Sequence, residues 1–120
     1  MSREREITWP NPTIDQAINA SMMVGNHYGS TFSKIDVGEP VEPEDLTDRE
    51  AEQRLLDLAD HVMDGAVTSH VAVAKVVRSL GHKIGPMGSV STEIDLAAYR
   101  VAHAVFQKQG SFVENPPANS

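Results

Sequence analysis

The chain has 120 residues, the size of one domain, and a formal net charge of −7. This length buries a core without covalent staples, and the absence of cysteine excludes disulfides, thiol nucleophiles, thiolate zinc sites and iron–sulfur clusters. No stretch approaches the roughly 20 apolar residues that cross a bilayer, and the charged opening Met1-Ser2-Arg3-Glu4-Arg5-Glu6 does not read as a secretory signal, so a cytoplasmic protein with no membrane contact is expected.

The charge is uneven. Residues 1–64 hold 14 Asp/Glu against 5 Lys/Arg, whereas residues 65–120 hold 3 against 5. An acidic chain repels phosphate at long range, which makes nucleic acid an unlikely partner. A local cationic face in the second half remains open to an anion.

Residues 1–12 read as an extended arm, because Trp9 and Asn11 each precede a proline. Ile7 and Trp9, two apart, share one side of it. Trp9 is the only tryptophan, an apolar anchor for the helices or for another subunit.

The single helical domain is expected over 13–110. Its first helix is predicted at 14–27, opened by a capping box of Thr13 and Gln16 and stopped by Gly29. Ile14, Ala17, Ile18, Ser21, Met22, Gly25 and Tyr28 recur at helical spacing. Residues 29–46 lack periodicity. Gly38, Pro40 and Pro43 break structure there, and Glu39, Glu42, Glu44 and Asp45 make it a long acidic loop.

Thr47 and Glu50 form a second capping box, with Leu46 placed as a hydrophobic staple. Ala51, Leu55, Leu58, Ala59 and Val62 share a face, and Val73, Val76, Val77 and Leu80 continue its phase. The region 48–81 is therefore one helix kinked near Gly65 or two helices, near 48–64 and 66–81. Two are favoured, since an unbroken helix would be about 50 Å long. A glycine-rich loop follows over 81–91, and Thr92 caps a last helix near 93–109. Residues 111–120 read as a flexible tail. Nothing reads as a strand. The expected fold is all-α, a small three- to four-helix bundle with an N-terminal arm and an acidic loop.

Three features bear on function. In the first, an anion site is expected where the glycine loop meets a cationic face: Lys75, Arg78, His82 and Lys83 beside Gly85, Gly88, Ser89, Ser91 and Thr92. Backbone N–H groups at a helix start attract anions such as nucleotides, although the Gly-Lys-Ser/Thr ending of a Walker loop is missing. The second is a wide apolar arc on the last helix: Ile94, Ala98, Tyr99, Val101, Ala102, Val105 and Phe106. With Trp9 it suggests the interface of a homo-oligomer, a dimer favoured.

The third is Asp57, His61 and Asp64 on one side of a helix, which reads as a solvated acidic face rather than a metal site. No metal or cofactor is expected. No motif supplies nucleophile, base and oxyanion donors together, so a catalyst is not the favoured class. His103 lies one helical turn from Tyr99, the nearest approach to an acid–base pair.

The reading is a non-enzymatic binding or regulatory protein that meets a protein partner through an oligomeric helical surface. One alternative is an oligomer that sequesters an anionic small molecule. The other is a helix-turn-helix-like DNA-binding regulator, against which stand the long loop over 81–91 and the acidic Glu93 and Asp95 at the would-be recognition helix.

Overall fold

Two threonines set the first two helix starts. In both, the hydroxyl accepts an N–H three residues on, and that residue's side chain accepts the threonine's own N–H. Helix α1 thus begins after Thr13 and runs Ile14–Val24, and α2 begins after Thr47 and runs Asp48–Met63. Helix α3, His70–Ser79, is capped by Ser69, and α4, Thr92–Lys108, by Ser91. The computed structural model describes residues 7–29, 33 and 35–113. Residues 1–6 of the expected arm and 114–120 of the expected tail lie outside these, as do 30–32 and 34 of the acidic loop.

The protein is mostly helical and compact, with four α-helices and one hairpin of two-residue strands among the described residues. Helix α4 packs on both α1 and α2. Its Ile94, Ala97, Ala98, Val101 and Ala104 are buried against Leu55, Leu58, Ala59 and Val62 of α2 and Val24 of α1 in one apolar cluster. Alanines on both α1 and α4 let the two backbones approach closely. No helix among the described residues is long and apolar enough to cross a membrane.

The long apolar phase of 48–81 divides into two helices. Gly65 turns the chain with φ +85°, a left-handed conformation that glycine adopts without steric cost. The N–H groups of Ala66 and Val67 then bond back to the His61 carbonyl and close the end of α2.

The first helix also stops earlier than its apolar pattern predicts. After Val24 the backbone widens into a π-turn, Gly25–Gly29. The glycine loop is ordered too. It forms a 3₁₀ turn, Gly81–Lys83, and then the hairpin β1, Ile84–Gly85, and β2, Gly88–Ser89, with Ile84 opposite Ser89. These strands are too short to carry an alternating pattern, so no strand is legible in the sequence.

The hairpin meets α1 at Gly25. A Cβ on residue 25 would stand 2.0 Å from the Gly85 carbonyl oxygen, so only glycine allows this backbone contact. Gly25→Ala should therefore cost about 3 kcal/mol or more by forcing hairpin and helix apart, read as a lower urea midpoint. Ser21 shows the opposite defect. Its hydroxyl is fully buried on α1 with no hydrogen-bond partner among the described residues. Ser21→Ala should raise stability by about 1 kcal/mol, because an unpaired buried hydroxyl carries its desolvation cost uncompensated; an unchanged or lower midpoint would refute this.

Candidate functional site

The π-turn determines where two rings go. It buries Tyr28 beneath the surface and leaves His27 exposed. The Tyr28 hydroxyl lies 2.9 Å from Nδ1 of His70, the first residue of α3. The His27 ring meets the Tyr28 ring edge-on, and Phe112 packs 4.6 Å from the His70 ring. Four rings from three parts of the chain thus converge beside the end of α1.

Three of them, His27, Tyr28 and His70, form one side of a cleft of about 250 Å³. The rest of its wall is apolar: Met23 and Val24 from α1, Ile35 from the loop, and Ala102, Val105 and Phe106 from α4. Met23 is 53% exposed and Phe106 69% exposed, so two large apolar side chains stand in solvent at its edge. Gln109 adds the remaining polar group.

Arg78 holds this wall from behind. Its Nε donates to the Tyr28 carbonyl at 2.9 Å, and a terminal nitrogen donates to the Ile35 carbonyl at 2.8 Å. One guanidinium on α3 thereby fixes both the π-turn and the loop segment that lines the cleft. Its rigid fork suits two acceptors at once.

The residues expected to bind an anion are divided. Lys75 and His82 are exposed, while Arg78 is turned toward the two carbonyls. The Lys83 ammonium pairs with Asp48 of α2. The Ser89 hydroxyl donates to Asp95 at 2.7 Å, and the Ser91 hydroxyl accepts the Ile94 N–H as the cap of α4. Gly85 and Gly88 pair across the hairpin, and Thr92 is exposed at the helix start. Donors and glycines do gather near the opening of α4, but two carboxylates, Asp48 and Asp95, stand among them.

The arc expected at an oligomer interface is divided as well. Ile94, Ala98 and Val101 are wholly buried in the chain's own core. Tyr99, Ala102 and Val105 are half-buried, and Phe106 is the exposed member. Trp9 lies on α4, with the Arg100 guanidinium 5.1 Å from its ring centre and the His103 ring 5.9 Å away edge-on. The Tyr99 ring lies parallel to that of His103 at 6.5 Å. Trp9 thus braces α4 within the chain.

The acidic face of α2 is engaged locally. Asp57 accepts from Gln53, and Asp64 accepts the Ala66 N–H. Nearby, the hydrogen bonds from Arg54, chiefly, hold the Glu44 carboxyl below its ordinary range. That contribution is present above the ordinary carboxylate range and is lost as pH falls through the lowered value. It is small, because the pair is exposed to water.

Sequence reasoning missed the Tyr28–His70 pair, whose members are 42 residues apart. The available signal was the spacing of Gly25 and Gly29 around His27 and Tyr28, which read as helix continuing to a stop.

No protein-family model, curated protein or solved structure matches this chain. Its function is read from its own residues.

Arg78→Met tests the brace behind the cleft. Removing two charge-assisted hydrogen bonds leaves two carbonyls short of a donor and should cost about 2–3 kcal/mol. The loss should appear first as faster hydrogen exchange at Tyr28 and Ile35. Exchange that rises equally across α2 and α4 would instead mark Arg78 as a general stabiliser.

Proposed function

We propose that this chain is a cytoplasmic, non-enzymatic binding protein, and that the cleft between α1, the π-turn and α4 takes an apolar side chain of a protein partner. The observation that carries the reading is the pair Met23 and Phe106, more than half exposed at the edge of an apolar hollow. Burying such surface is favourable by about 25 cal/mol per Å². Binding energy in protein interfaces concentrates where an anchor side chain fills a desolvated pocket. Methionine adapts its shape to what it meets.

Size narrows the occupant. A cleft of about 250 Å³ is smaller than the roughly 300–1,000 Å³ of most cofactor and drug-sized sites. One inserted side chain suits it better than a nucleotide. A second copy of the chain is a partner consistent with this reading. Because Ile94, Ala98 and Val101 are buried within one chain, such an oligomer would use Phe106, Val105 and Ala102. Sequestering an anion at the glycine loop is less well supported, since Arg78 and Lys83 would have to leave their present partners. DNA binding gains nothing from an α4 that opens with Glu93 and Asp95.

The test is a titration with hexan-1-ol, a small apolar probe, followed on ¹³C-labelled methionine methyls. The Met23 signal should move saturably. That of Met87, 87% exposed on the hairpin turn, should stay in place. Phe106→Glu should keep the fold, as exposed substitutions usually change stability by less than about 0.5 kcal/mol, and should abolish the shift. A Met23 signal that does not move would refute the cleft as a binding element.

A further inference from the structure

Sulfur occurs in this chain only as thioether, with five methionines and no cysteine. The four described methionines differ in access and in setting. Met22 and Met63 are half-buried, whereas Met23 and Met87 are more than half exposed. Of the four, Met23 is the one that lines the cleft. Its neighbour Met22 is turned to the hairpin, where its Cγ would stand 3.7 Å from a Cβ built on Gly88. Met23 alone of the four thus joins two properties: solvent reaches its side chain, and that side chain shapes the edge of an apolar hollow.

Resting on the cleft reading above, we propose that Met23 is a site of reversible oxidation by a hydroperoxide, and that its sulfoxide closes the cleft to an apolar occupant. A thioether lone pair attacks one peroxide oxygen, and the S–O bond forms as the O–O bond breaks. With hydrogen peroxide, the proton of the transferred oxygen passes to the departing one, which leaves as water. Sulfur gives up two electrons and the peroxide takes them. The product is polar where the thioether was apolar and adaptable. It places an oxygen acceptor beside the apolar side chains of Val24, Ala102, Val105 and Phe106. An apolar group entering there strips water from that oxygen and brings no donor in return, which makes entry unfavourable. The other exposed thioether, Met87 on the hairpin turn, does not line the cleft, so its oxidation leaves the hollow as it was.

The experiment treats the intact chain with hydrogen peroxide and locates the added oxygen by peptide mass spectrometry. Hexan-1-ol is then titrated against the ¹³C-labelled methyl of Ala102, which lies in the cleft wall. Oxidation of Met23 should weaken hexanol binding about five- to tenfold. Reduction by the two epimer-specific methionine sulfoxide reductases should restore it. Met87→Leu should leave unchanged both the affinity and its loss on peroxide treatment. Met23→Leu has no thioether at the cleft, so its affinity should be the same before and after peroxide. If hexanol shifts Ala102 equally in the reduced and the Met23-oxidised chain, the redox inference is overturned while the cleft reading survives. If Met23 stays reduced once Met87 is fully oxidised, or if Met23→Leu still loses binding to peroxide, the assignment to Met23 is overturned. A loss that the reductases leave in place overturns its reversibility. If hexanol does not shift Ala102 even in the reduced chain, the cleft reading itself falls.

Discussion

The contact between Gly25 and Gly85 is the constraint on which the rest of this structure depends. A backbone carbonyl occupies the space where any other residue at position 25 would put its Cβ. The hairpin therefore sits against the end of α1. There the helix gives way to a π-turn, a form often found at functional sites. The widened turn brings Tyr28 to His70 and leaves Met23, one turn earlier, at the edge of a hollow. A close approach between two glycines far apart in sequence thus shapes the cleft beside α1.

Charge is organised around the same wall. Lys83 ties the start of α2 at Asp48, and the acidic loop is fastened where it crosses the body, Glu44 to Arg54 and the Glu44 N–H to the Ser79 carbonyl. Arg78 fastens its beginning, at Ile35, together with the π-turn. Arg54, Arg78 and Lys83, cations that look free in the sequence, join segments. Their positive charge remains, and at Arg78 it lies beneath an apolar cleft rather than beside a glycine loop.

Several elements were legible from the residues alone. Thr13 with Gln16, Thr47 with Glu50, and the apolar face Ala51, Leu55, Leu58, Ala59 and Val62 involve neighbours three or four residues apart. Such interactions are local, so composition and period suffice to find the helices and most of the core. The stop near Gly65 was legible for the same reason, since a left-handed turn is a local demand on one residue.

Tertiary structure decided which of these features face solvent and which meet one another. The arc on α4 is one periodic pattern, yet Ile94, Ala98 and Val101 are buried while Phe106 is exposed. That division depends on where α1 and α2 end, and periodicity along one helix does not contain it. The cationic stripe Lys75, Arg78 and His82 is likewise one pattern, but only Arg78 finds two carbonyls from elsewhere in the chain. The two-residue strands and the Tyr28–His70 pair exist only through contacts between distant segments. The sequence by itself determined the local elements, because their hydrogen bonds close within a few residues; the cleft was decided only by packing, because each of its walls comes from a different part of the chain.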